Sequence, residues 1–100
     1  MQMPNSREAV ILSLLINGEK YGREIRDEYQ RRTGEELPLG SLYTSLQRMN
    51  AKGFLKTRMG ESAAERGGNR RKYYKLSANG HQAANAFEVR VNAIAGARHA

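Results

Sequence analysis

Between Leu39 and Lys52 the chain sets Ser41, Thr44, Gln47 and Arg48 at helical spacing and carries no carboxylate. Side chains of these types hydrogen-bond to base edges, and a helix that presents them fits the major groove of duplex DNA. Gly40 and Ala51 on the same face are small enough to let a phosphate backbone come close. The plainer reading is a solvated helix face, but such a face ordinarily carries Glu beside its Lys, and this one has no acid.

A second stretch, RGGNRRKYYKL from Arg66 to Leu76, holds five Lys or Arg in eleven residues and again no acid. Arg66, Arg70, Arg71 and Lys72 suit phosphate contacts, or the entry of an arginine into a narrow minor groove. Gly67 and Gly68, beside Asn69, would let such a loop follow a duplex closely. Tyr74 shares a strand face with Leu76 and reads as core, whereas Tyr73 is either a phosphate ligand or simply exposed. Lys56 and Arg58 either extend the basic surface or are ordinary exposed strand residues. Tyr21 opens a helix, where its hydroxyl and the free N–H groups could hold a phosphate. Its ring could equally pack on Ile25, and the two roles are compatible.

The elements that must position these groups are legible from caps and periodicity. Asn5 or Ser6 caps a first helix, with Glu8 placed for a capping box. The following AVILSLLI is apolar almost all round, which implies burial on more than one side, and Asn17-Gly18 ends it. A second helix spans about Tyr21 to Arg32, with Tyr21, Ile25 and Tyr29 in a row and Gly34 as its stop. After the extended Leu37-Pro38, a third helix runs over roughly Leu39 to Lys52. Leu39, Leu42, Leu46 and Met49 form its core stripe, and Gly53 closes it. FLKTRM reads as a strand with Leu55, Thr57 and Met59 on one face, and Arg70–Leu76 as its hairpin partner around a polar turn, Gly60–Asn69. Ser77 caps a last helix from about Ala78 towards Arg98, striped by Ala84, Phe87, Val91, Ile94 and Ala95. Three helices, a two-stranded hairpin and a further helix make a winged helix-turn-helix, a fold that is mostly α with a small β-hairpin.

Charge follows the same division. Residues 1–36 hold six basic and seven acidic side chains, residues 37–75 nine and two, and residues 76–100 two and one. The net +7 of the chain and its pI near 10.1 therefore come from the middle segment, a footprint suited to a polyanion. The chain has no cysteine, which removes disulfides, thiolate metal sites and Cys nucleophiles and fits a cytoplasmic protein. No apolar run approaches the length of a membrane span, and the N-terminus lacks a signal-peptide layout. His81 and His99 lie at opposite ends of the last helix, and Gly67-Gly68 lacks the strand-to-helix context of a phosphate loop. Neither an enzyme site nor a cofactor is expected.

Symmetric DNA sites are read by two-fold dimers, so the first and last helices are expected to form a homodimer interface through Val10, Leu14, Ala84, Phe87, Val91 and Ile94. The expected division is residues 1–77 as the DNA-binding unit and 78–100 as a dimerisation helix packed on it. The partner is double-stranded DNA. The alternative is a winged-helix RNA-binding or protein-interaction module without operator specificity.

The runs LPLGSLYTSLQRMNAKGFL, RGGNRRKYYKLSANG and YGREI together resemble the signature of the PadR family of bacterial transcriptional regulators over most of Arg7–Gly80. That resemblance implies a winged-helix dimer that binds an operator, usually as a repressor. By matching position it assigns Ser41, Tyr43, Thr44 and Arg48 to the recognition helix and Arg66–Arg71, including Gly68 and Asn69, to the wing. It also implies dimerisation through C-terminal helices and, in some members, a phenolic or other aromatic effector near the dimer interface. The short chain after Ser77 resembles the subgroup with one C-terminal helix, and without tryptophan a flat ligand would have to stack on Tyr or Phe.

Overall fold

The computed structural model describes residues 3–61 and 70–86. Helix α1 (Ser6–Leu14) starts at the expected capping box. The Glu8 amide donates to Asn5 Oδ1 at 2.8 Å, and the Asn5 amide donates back to Glu8 Oε1 at 2.9 Å. Two orphan amides are satisfied by one pair of side chains. Past Gly18 a short strand, β1 (Lys20–Tyr21), leads into α2 (Gly22–Thr33). Gly34 ends α2 in the left-handed region at φ 71°, with its amide on the Gln30 carbonyl at 2.9 Å, a cap that a side-chain-bearing residue adopts only under strain. The Gln30 side chain then accepts from the Leu37 amide at 2.9 Å and fixes the approach to α3 (Leu39–Ala51).

Strands β2 (Leu55–Met59) and β3 (Lys72–Leu76) pair antiparallel, with Leu55 opposite Leu76 and Met59 opposite Lys72. The hairpin is joined by β1, which pairs with the other edge of β3, so the sheet order is β1-β3-β2. This third strand departs from the expected two-stranded hairpin. Two residues are too few to show a period, and only pairing with β3 makes them a strand. Helix α4, described over 78–86, is capped by Ser77, whose Oγ accepts from the Gly80 amide at 3.0 Å.

Ile11, Leu12 and Leu15 from the first segment meet Ile25, Leu37, Leu42, Leu46 and Met49, all fully buried. Tyr29 of α2 belongs to the same core, and Phe54, Leu55, Tyr74 and Leu76 close it from the sheet side. Leu14 and Ala84, at 3% and 0% exposure, belong to this core as well. Their side chains are covered by their own chain and have no surface left for a second subunit, which corrects their expected place in the dimer interface. The apolar run of α1 is thus largely consumed within one chain, and only Val10 and Ile16 remain half-buried. Thr57 and Met59, expected on the face of Leu55, are exposed: the strand runs out beyond the core towards the hairpin tip.

One charge is buried with the apolar groups. Glu8 is fully buried, and its Oε1 accepts from Lys52 Nζ at 2.6 Å. Lys52 also donates to the Met3 carbonyl at 3.3 Å. The start of α1 is thereby fastened to the end of α3.

Candidate nucleic-acid interface

The outer face of α3 carries Gly40, Tyr43, Thr44, Gln47, Arg48 and Ala51 exposed and Ser41 half-buried. Thr44 spends its hydroxyl proton on the Gly40 carbonyl at 3.0 Å and keeps acceptor lone pairs for a ligand. The Arg48 side chain has neither an ion pair nor a hydrogen-bond partner among the described residues. A guanidinium held at the surface of an acid-free helix and left unpaired is placed for bidentate contact with a purine edge or a phosphate.

The sheet brings the hairpin base beside this helix. A cleft of about 460 Å³ is lined by Tyr21, Gly22 and Arg23 at the start of α2, Tyr43 of α3, and Arg70, Arg71, Lys72 and Tyr74. A second cleft of about 380 Å³ continues between α3 and the sheet, past Gln47, Asn50 and Thr57. Tyr43, Lys72 and Tyr74 border both. Five of the expected contact residues, Tyr21, Tyr43, Arg70, Arg71 and Lys72, therefore meet on the first cleft, and Gln47 joins them on the second. Arg66, Gly68 and Asn69 lie outside the described residues, as do Phe87, Val91 and Ile94.

Strand β1 explains how the wing base is held. Tyr21 lies opposite Tyr73 in the ladder, and their rings meet edge to face at 5.8 Å. The Arg71 guanidinium stands 4.2 Å over the Tyr21 ring, and that of Arg58 4.5 Å over the Tyr73 ring, stacking that fixes each arginine's direction. Tyr21 is thus a platform for Arg71, with its ring settled against Tyr73. At the hairpin base the Gly60 amide donates to the Arg71 carbonyl at 2.6 Å and Arg70 Nε donates to the Gly60 carbonyl at 2.7 Å.

Arg58 differs from its neighbours, because Glu19 accepts from its Nε at 2.9 Å and also from its terminal nitrogen. That hydrogen bond holds the Glu19 carboxyl below its ordinary range and raises Arg58 in return. Arg58 is an exposed strand residue, as one of its two readings had it, and its charge is closed by Glu19 rather than added to the basic surface. Tyr74, by contrast, is core as expected, and burial together with nearby Tyr43 pushes its hydroxyl above the usual tyrosine value. Sequence reasoning missed Gly22, whose neighbour Tyr43 lies in a different helix, and it missed both carboxylate partners, Glu8 and Glu19.

Among the described residues no cluster of His, Asp or Glu is arranged for a metal ion, and no helix is long and apolar enough to cross a membrane. No curated protein matches the chain in sequence. Among solved structures, it is similar to a PadR family transcription regulator from Clostridium difficile (28% identity, TM-score 0.75, covering 95% of this chain and 96% of that one). It is also similar to a PadR-like transcriptional regulator from Bacillus cereus (23% identity, TM-score 0.77, 92% and 86% covered). Bacillus subtilis PadR in complex with operator DNA shares the fold at 22% identity and TM-score 0.73, over 85% of this chain and 48% of that one. Residues 11–86 match the sequence profile of the transcriptional regulator PadR-like family. With the winged-helix arrangement already described, that match over most of its length makes this chain a member of the PadR-like family of transcriptional regulators, not of an enzyme family.

Proposed function

We propose that the chain is a cytoplasmic repressor that binds a palindromic operator as a homodimer. Helix α3 enters the major groove, with Ser41, Thr44, Gln47 and Arg48 towards base edges. Arg70, Arg71 and Lys72 follow the flanking backbone, with Arg66, Gly68 and Asn69 continuing the wing. Residues 1–77 form the DNA-binding unit, and 78–100 supply the dimer contact through the C-terminal helix, together with Val10. The observation that carries this reading is an acid-free helix face, with Arg48 exposed and its side chain without a partner among the described residues, on the helix whose Tyr43 shares a cleft with three cations of the hairpin base. Bacillus subtilis PadR, which shares the fold, is seen with operator DNA.

The test is a binding titration against the duplex upstream of the gene and a scrambled duplex, each at two salt concentrations. A preference for the native duplex that persists at higher salt supports specific regulation. Equal binding that collapses together as salt rises points instead to an RNA-binding or protein-interaction module. Arg48→Ala is expected to cost about 1–3 kcal/mol of discrimination between the duplexes, and an unchanged ratio would remove Arg48 from base readout. An aromatic carboxylate added to the same titration reports whether an effector relieves binding, and an equilibrium sedimentation run reports the dimer.

A further inference from the structure

Gly22 is the first residue of α2 and is buried. Its φ is not positive, so the backbone does not call for glycine there as it does at Gly34. What calls for it is a side chain from another helix. A Cβ at position 22 would stand 2.7 Å from the Tyr43 hydroxyl oxygen, 3.0 Å from its Cε1 and 3.1 Å from its Cζ. The end of the Tyr43 phenol therefore rests on the bare Cα of Gly22.

Tyr43 also faces solvent. It is 48% exposed, and it stands one turn from Gly40 on one side and one turn from Gln47 on the other, on the face given to DNA. It also borders both clefts, next to Lys72 of the wing base. A tyrosine in that place fills the corner between the base-reading helix and the cations that would follow the backbone. The direction of its ring decides how close a duplex can come to Gln47 and Lys72 together.

We propose that Gly22 is a positioning residue for sequence discrimination, acting by leaving the space in which the Tyr43 phenol is seated. The role rests on the DNA-binding reading above, but the seat itself does not. Because a new Cβ would meet the far end of an exposed side chain, the ring swings away and the fold survives. Gly22→Ala is thus a change of readout rather than of stability.

The experiment compares the wild type, Gly22→Ala, Tyr43→Ala and the double variant in three measurements: thermal melting, nuclear Overhauser contacts from the Gly22 α-protons to the Tyr43 ring in the wild type, and the ratio of affinities for operator and scrambled duplex. The contacts are expected in the wild type, and Gly22→Ala is expected to melt close to it. The affinity ratio should fall about ten-fold in either single variant. In the double variant it should fall no further, since both changes remove the same seated ring. An unchanged ratio in Gly22→Ala, or losses that multiply in the double variant, would overturn the role. Absence of the α-proton contacts would overturn the seat itself. A wild type that does not prefer its operator, with those contacts present, would overturn the DNA reading and the role while leaving the seat in place.

Discussion

The cations of the middle segment divide into two groups that composition cannot separate. Lys52 and Arg58 are closed by carboxylates, Glu8 and Glu19 respectively, from the first twenty residues. Arg48, Arg71 and Lys72 have no carboxylate partner among the described residues; two of them lie over tyrosine rings, and the third stands open. The first group fastens elements to one another: α1 to α3 through Lys52, the sheet to the turn after α1 through Arg58. In the second group Arg48 is exposed on α3, and Arg71 and Lys72 line the cleft between the hairpin base and Tyr43 of α3. Net charge marks a polyanion binder, but the paired and unpaired cations do different work, and the paired ones already have their charge balanced within the fold.

The sharpest break of this comparison is at Glu8 and Lys52, because one partner is fully buried and the other is 20% exposed. Removing Lys52 leaves a carboxylate with no water and no counter-ion. Lys52→Met is expected to lower stability by about 3 kcal/mol. Glu8→Gln leaves an ammonium that can turn to solvent, so its cost should be about half of that. Equilibrium urea denaturation of the two variants measures both. Equal losses, or a larger loss for Glu8→Gln, would show that the buried carboxylate is not the group at risk.

The next test sets a closed cation against an open one. If Arg71 neutralises a phosphate, Arg71→Ala should weaken binding to operator and scrambled duplex alike. The slope of log K against log salt should then fall in magnitude by about 0.9. Arg58→Gln should leave that slope unchanged, because Glu19 already balances the guanidinium. A slope reduced by both variants would erase the division between the two groups.

Gly40 gives a smaller effect with opposite signs in stability and binding. It is exposed on α3, its φ is not positive, and a Cβ there would meet nothing within 4 Å. Neither backbone nor packing asks for glycine, yet glycine in a helix costs up to about 1 kcal/mol relative to alanine. Gly40→Ala should therefore raise the urea midpoint and, if α3 enters the groove as proposed, weaken binding to both duplexes, since the added methyl would stand where the DNA backbone comes close. Unchanged affinity would take the start of α3 away from the duplex.

Local signals carried most of the architecture. The Asn5–Glu8 box, the Gly34 stop, the Leu42–Leu46–Met49 stripe and the Ser77 cap all involve residues within a few positions of one another, and all stand where the sequence placed them. Part of the candidate site was legible for the same reason, because Tyr43 on one helix and Arg70, Arg71 and Lys72 on one short stretch line the same cleft. What stayed hidden are pairings without a local cause. Glu8 and Lys52 are separated by 44 residues and Glu19 and Arg58 by 39, and β1 exists only because Tyr21 finds Tyr73. The burial of Leu14 and Ala84 is of this kind too. An apolar stripe shows that a helix is covered, and says nothing of whether its own chain or another covers it.

The pair at Glu19 and Arg58 yields the smallest effect, because both groups are in contact with water and an exposed pair is well screened. Its pH dependence nonetheless has a definite sign. The folded carboxyl is held below its ordinary range, so the unfolded chain takes up a proton at a higher pH than the folded one. The contribution is therefore present in full above the unfolded carboxylate value, near 4.3 for a free Glu. It is lost as pH falls through the lower folded value. Urea midpoints of the wild type and Glu19→Gln should differ slightly at neutral pH, with the wild type the more stable, and should converge in acid. Arg58→Gln should show the same convergence, since it removes the same hydrogen bond. A difference that persists unchanged into acid would mean that the brace acts through the stacking of Arg58 on Tyr73 rather than through charge.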